Sequence, residues 1–235
     1  MKLRLKINGL LIVLALISIT LFPTIFFRQS RRGTLDGLME VSGIVLILLG
    51  QLFRTSARGY KSENSSQGLT LVQGGPYSLV RNPMYLGILL IGLGVVLVLF
   101  KWWVIVVFLA IFISRYISLI FKEEKKLLKI FSGEYQNYMQ HVPRLMPSFK
   151  ELFYRDVSEY LPLKFVWARR EFGSVFAVLF VVLSIESWED IRKEGLVFYG
   201  KEFIIIIIIM LLLMGLSLYL ERRTKVAQKN GSMQS

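Results

Sequence analysis

Apolar residues fall into six long runs along this chain, at roughly 7–27, 38–53, 85–100, 103–121, 172–188 and 203–220, separated by polar and charged stretches. Inside each run the apolar residues are nearly continuous. They neither alternate with period two nor keep to one stripe. Runs of this length approach what is needed to cross a hydrocarbon core of about 30 Å. Backbone in lipid finds no water to bond, so spanning segments must satisfy their own N–H and C=O groups and become helices. Residues 204–209 are all isoleucine and would favour a strand in water, but they sit within a longer apolar run and are read as helix. The runs at 38–53, 85–100 and 172–188 are short and need flanking residues to complete a span. The pattern predicts an all-α, polytopic membrane protein of about six transmembrane helices.

Local signals place a hairpin at the centre. Asn82-Pro83 suits a helix start, with Asn at the N-cap and Pro at the first helical position. Lys101-Trp102-Trp103 marks the far interface, where Trp collects. The return helix ends near Phe121-Lys122, so residues 81–85 and 122–124 are expected to emerge on one face. Residues 1–60 then hold two N-terminal helices. Residues 61–150 hold the hairpin and the polar blocks around it, after a polar linker at 61–68. Residues 151–235 hold two further helices and a polar tail. The first run follows a basic start (Lys2, Arg4, Lys6), yet it is too long for a signal peptide and lacks a small-residue cleavage site, so it reads as a retained anchor.

Charge sharpens this picture. The net charge of +13 alone would suggest nucleic acid or anionic lipid. Its placement decides: with the N-terminus inside, 21 of the 29 Lys and Arg lie on inner segments and seven on outer ones. That is the positive-inside asymmetry, so both termini are expected in the cytoplasm and the bilayer is the expected partner. No aromatic–basic interleaving favours nucleic acid. Arg115 falls within a span, where snorkelling towards the cytoplasm is the simplest reading. The chain has no Cys and one His, His141. This excludes thiolate chemistry and disulfides, and leaves no basis for a His-built metal site or a Ser-His triad. The oligomeric state is left open.

The chemistry-bearing residues lie on either side of the hairpin. Arg81 alone would be an ordinary positive flank, but it sits within Gly75-Pro76-Tyr77 and Asn82-Pro83-x-Tyr85-x-Gly87, which topology does not require. Glu123-Glu124 has nearby lysines that would make it a solvated helix end. Carboxylates at a helix C-terminus oppose the dipole, however, and acids at a membrane face are costly. Tyr135 and Tyr138 read equally well as interfacial anchors or binding groups. Val142-Pro143-Arg144 reads as a rigid closing turn, and Gly87, Gly92 and Gly94 as close-packing points between helices.

Taken in order, these residues resemble the membrane methyltransferase superfamily of isoprenylcysteine carboxyl methyltransferases and phospholipid methyltransferases. The matching pattern is Leu71-Val72-x-x-Gly75-x-Tyr77-x-x-x-Arg81-Asn82-Pro83-x-Tyr85-x-Gly87, then Glu123-Glu124, then Phe131-x-Gly133-x-Tyr135-x-x-Tyr138, then Val142-Pro143-Arg144-x-x-Pro147. The resemblance implies S-adenosylmethionine as methyl donor, held by Leu69, Thr70, Leu71, Val72, Tyr77, Asn82, Pro83, Met84, Tyr85 and Glu124. On this chain's own residues, Arg81 is then expected to neutralise the donor's carboxylate and Glu123 to act as the base where the acceptor is an amine, with an apolar or lipidic acceptor entering from the membrane and no metal. Two positions depart from the family. Asn82 stands where the family has His, and Ile120 where carboxyl methyltransferases have an Arg. Alternatives are a lipid-amine N-methyltransferase, a steroid-reductase-like NADPH enzyme built on a related helical core, or a non-catalytic membrane scaffold.

Overall fold

A computed structural model describes residues 21–28, 34–65, 68–147, 156–169 and helical positions at 171, 173, 174, 176–178, 180–182, 204 and 208. The described residues are all-helical: α1 (Pro23–Phe26), α2 (Thr34–Asn64), α3 (Pro76–Leu79), α4 (Pro83–Leu99), α5 (Trp102–Phe112), a π-helical turn (Ile113–Ile117), α6 (Ser118–His141) and α7 (Val157–Tyr160). Most of the run at 7–27, the end of the run at 172–188 and nearly all of the run at 203–220 lie outside the described residues. The fold class agrees with expectation in its helical character. Two stretches, Gly37–Asn64 and Trp102–His141, are long and apolar enough to cross a membrane, and α4 is a shorter apolar helix. Leu48 and Leu49 on α2, and Val106, Val107 and Ile111 on α5, are exposed. Apolar faces of this kind are unusual on a soluble monomer and suit contact with lipid.

α2 and α4 form the core pair, and glycines let them touch. Gly43 and Gly50 lie seven residues apart on α2, as Gly87 and Gly94 do on α4, so each pair shares one helix face. A Cβ on Gly94 would lie 2.4 Å from Gly43 O, and one on Gly87 would lie 2.7 Å from Gly50 O. Gly43 opposite Gly94 and Gly50 opposite Gly87 make the two helices antiparallel. Ile47, fully buried between the two crossings, packs on Val98, Leu99 and Val182. The packing reading of Gly87 and Gly94 holds. Gly92 serves a different neighbour, Phe108 of α5.

The hairpin turns at Phe100 and Lys101, and α1 is tied to that end. Lys101 N donates to Phe26 O (2.9 Å) and Lys101 Nζ to Thr24 O (2.7 Å). Phe27 stacks on Phe100 with ring centroids 5.0 Å apart. The stretch at 61–68 differs from the expected linker, because α2 runs helically through Asn64 and only then turns. The described residues at 156–162 lie against the core. Tyr160 is buried with Phe53, Leu79, Val80 and Leu86, and Ser56 Oγ donates to Pro162 O (2.6 Å).

Candidate functional site

Glycine shapes the turn that delivers the first block. Gly75 adopts φ +57°, ψ −133° at the N-cap of α3, a conformation that only glycine adopts without strain. Tyr60 of α2 lies against it: a Cβ on Gly75 would come within 2.7 Å of Tyr60 Cδ2. Pro76 opens α3, and Val80 then returns to extended backbone. Arg81 N donates to Pro143 O (2.8 Å), pinning the block to the loop after α6. Asn82 occupies the N-cap of α4 and Pro83 the first turn, as expected, but the Asn82 side chain makes no capping bond. It is used elsewhere.

That other use is the centre of the site. Asn82 Nδ2 donates to Glu124 Oε1 (3.2 Å) and to Arg144 O (3.1 Å). Residues 42 positions apart in sequence therefore meet, as the hairpin requires. An amide nitrogen carries two hydrogens and serves two acceptors at once, whereas a single imidazole nitrogen carries at most one. Asn is thus well suited to this position. Glu124, 5 % exposed, also receives Arg144 Nε (3.0 Å to Oε2) and Arg144 Nη2 (3.0 Å to Oε2). Arg81 Nη1 stands 3.6 Å from Glu124 Oε1, within ion-pair range but too long for a hydrogen bond. Two guanidiniums thus surround one buried carboxylate, leaving the cluster net positive. Arg81 Nε and Nη1 are buried without a hydrogen-bond partner among the described residues. Arg144 also lies over the Phe121 ring, 4.3 Å from its centroid.

A second layer holds the cluster in place. Tyr138 Oη donates to Tyr77 O (2.6 Å), and Tyr135 and Tyr138 are both buried, with rings 5.8 Å apart. Tyr138 supports the motif turn through this bond, and both rings are buried rather than placed at a surface as interfacial anchors would be. Burial raises the Tyr77 hydroxyl well above its ordinary range, and Glu123 adds to the rise, so Tyr77 stays neutral across physiological pH. Tyr85 Oη donates to the exposed Glu123 at Oε1 (2.8 Å), and its ring meets Tyr116 at 5.7 Å. Tyr116 belongs to the π turn, an element with no sequence signal. Gln73 Nε2 donates to Glu134 Oε1 (2.8 Å), a further bond between the two blocks. α6 bends at Ser132, which takes φ +38°, just before Gly133.

The sequence-predicted residues fall into two groups. Tyr77, Arg81, Asn82, Pro83, Tyr85, Glu123 and Glu124 are gathered at one end of the hairpin, with Met84 partly buried beside them. The stretch at 69–72 stands apart from the cluster's hydrogen bonds. Leu69 is 81 % exposed, Thr70 Oγ1 donates back to Asn64 O (2.7 Å), and Leu71 and Val72 are half-buried. Arg144, read from sequence as part of a rigid turn, is the main partner of Glu124. A buried carboxylate needs a counter-ion, and that requirement is the signal that would have found it. Ile120 is fully buried and Arg115 is exposed on the π turn.

A cavity of about 220 Å³ opens between α2, α4 and α5, lined by Arg54, Ile88, Ile91, Gly92, Phe108, Ile111, Phe112 and Tyr116. Its walls are apolar apart from Arg54, and Tyr116 joins it to Tyr85 of the first block.

Comparison with known proteins gives two findings. Residues 38–134 match the model of the phospholipid methyltransferase family. The chain is 33 % identical over 113 residues to Protein-S-isoprenylcysteine O-methyltransferase of Saccharomyces cerevisiae, covering 45 % of this chain and 47 % of that protein. The alignment therefore spans about half the length of the curated relative. No solved structure matches.

Proposed function

We propose that the chain is a membrane S-adenosylmethionine-dependent methyltransferase acting on a lipidic or membrane-embedded acceptor, a reading supported by the match of residues 38–134 to the phospholipid methyltransferase family and by the likeness to the yeast isoprenylcysteine O-methyltransferase. The observation that carries this reading is the Asn82–Glu124 contact, which joins the two motif blocks in one buried, net-positive cluster. The residues present fit the methyl donor. Arg81 has buried, unspent N–H groups that suit a carboxylate. Glu124 suits an ammonium or ribose hydroxyls, in exchange for part of its contact with Arg144. When bound, S-adenosylmethionine supplies an electrophilic methyl on a sulfonium. The chain's own part is to align donor and acceptor and to keep water away. Tyr85 holds the Glu123 carboxylate in place, and Glu123 is the base that takes a proton from the acceptor where one must leave.

One observation favours the lipid-amine version of this reading. The position where carboxyl methyltransferases carry an Arg is Ile120, fully buried and unable to pair with an acceptor carboxylate. The apolar cavity beside Tyr116 is the entrance from the bilayer that this reading uses. The test is transfer of labelled methyl from S-adenosylmethionine into a total membrane lipid extract by the purified full-length protein, with identification of the labelled product. A labelled lipid amine is expected. A purified protein that neither binds the donor nor labels any lipid overturns the proposal.

A further inference from the structure

A second cavity lies where the core meets the chain beyond residue 150. It measures about 350 Å³ and is lined by Thr55, Arg58, Gly59 and Ser62 of α2 and by Trp167 and Glu171 of the following segment. None of the lining residues beyond α2 falls within the family-matched segment. We propose that this cavity is a headgroup site for a zwitterionic, amine-bearing phospholipid.

Depth is the first argument. Leu48, Leu49 and Leu52 of α2 expose apolar surface, and the apolar run then ends at Arg54. Thr55 to Ser62 therefore occupy the level of the lipid headgroups, where snorkelling cations belong.

The second argument is unspent polar capacity. Glu171 is 8 % exposed; its Oε1 accepts Arg58 Nη1 at 2.6 Å, but its Oε2 is buried without a partner among the described residues. A buried carboxylate oxygen left unpaired is costly and marks a place for a donor. Gln51, one turn deeper on the same α2 face as Thr55, is 3 % exposed, and both its amide atoms lack partners among the described residues. Arg58 is half-exposed at the mouth and carries five N–H donors, of which Glu171 takes one.

The wall that carries Glu171 is firmly seated. A Cβ on Gly59 would lie 2.1 Å from Trp167 Cδ2, so the indole rests directly on backbone. Its Nε1 donates to Glu63 Oε1 (2.7 Å), and Lys164 Nζ pairs with the other oxygen of Glu63 (2.5 Å).

The chemistry of the ligand follows from the order of these groups. An unpaired carboxylate oxygen inside asks for an ammonium. A guanidinium with free donors at the mouth asks for an anion within a few bonds of that ammonium. A purely anionic headgroup would meet Glu171, and a purely cationic one would meet Arg58. A compact zwitterion satisfies both, and at this depth the bilayer supplies it as an amine-bearing phospholipid.

The test uses the full-length protein in detergent micelles, titrated by calorimetry with short-chain phosphatidylethanolamine and, separately, with short-chain phosphatidylglycerol, which keeps the phosphate and lacks the amine. Saturable binding of the former is expected, at least about tenfold tighter than the latter, and weakened at least about tenfold in both Glu171→Gln and Arg58→Gln. Equal affinity for the two lipids, no saturable binding, or unchanged binding in both variants overturns the proposal. Should Glu171→Gln fail to fold, the lipid preference of the unaltered protein and the effect of Arg58→Gln, at a half-exposed position, decide it. Donor binding is measured on the same samples, so this site and the methyl-transfer reading stand or fall separately.

Discussion

The glycine seam between α2 and α4 and the charged cluster around Glu124 bind the same core together by opposite means. At the seam, side chains are removed until backbone meets backbone, with Gly43 facing Gly94 and Gly50 facing Gly87. At the cluster, two long cationic side chains are drawn in around one carboxylate. Between helices in lipid, where the hydrophobic effect gives little drive, close packing supplies attraction without desolvating any charge. A buried ion cluster adds little net stability, because desolvation offsets the pairing. The seam is therefore what a scaffold needs, and the cluster is what a ligand site needs. Its cost is understandable where Arg81 keeps donors in reserve.

Substitutions at each region break the comparison in different ways. The largest effect is expected for Glu124→Ala, which leaves Arg81 and Arg144 buried or half-buried without their shared counter-ion. A loss of about 3–5 kcal/mol together with loss of donor binding is expected, read by thermal unfolding in detergent and by calorimetry with S-adenosylmethionine. Unchanged donor affinity in folded protein would remove Glu124 from the site. Gly94→Val comes next, since even a Cβ there meets the Gly43 carbonyl. About 3 kcal/mol of destabilisation is expected. Whatever protein folds should keep its donor affinity, and a selective loss of affinity would show that seam and cluster are not separate devices. Asn82→Leu removes the donor to Glu124 and to the Arg144 carbonyl; about 1–3 kcal/mol is expected, with weaker donor binding. Tyr138→Phe should cost about 1 kcal/mol for its single bond to the Tyr77 carbonyl. Glu123→Gln should be the mildest for stability, within about 0.5 kcal/mol because the side chain is exposed. Its effect should appear in turnover of a lipid amine rather than in donor affinity.

Much of this was legible in the chain itself. Continuous apolar runs gave helices, because lipid leaves the backbone few alternatives. Asn82-Pro83 fixed the start of α4 and Lys101 its end, and from those two points the meeting of residues 81–85 with 123–124 followed. The partner of the carboxylate was less legible. Arg144 lies 20 residues beyond Glu124 and returns only because α6 bends at Ser132 and the Pro143 carbonyl accepts from Arg81 N. Neither event leaves a periodic trace. Tyr60 and Tyr138 were similarly hidden, since a tyrosine that supports a turn looks like one that anchors at an interface. The glycine seam was half visible: Gly87 and Gly94 were marked as packing points, but their opposite numbers on α2 emerge only once the antiparallel crossing sets the register. The return of Tyr160, Trp167, Glu171 and Val182 onto α2 had no local signal.

The π turn at 113–117 carries a consequence for chain length. Phe112 and Ile120 are both buried, yet eight residues along a regular α-helix would set them about 80° apart. One residue taken up by a wider turn brings the effective separation to seven and the misalignment to about 20°. The turn acts as an angular correction, phasing everything downstream. Excising one residue from the turn would leave a regular α-helix in the same phase, whereas excising one from the regular part of α5, or from α6 ahead of Glu124, would rotate Glu124 by about 100°, away from Arg81, with every side chain of the acidic pair still present. The helical phase between the hairpin tip and the carboxylates is thus the quantity under constraint, independent of which residues fill the turn.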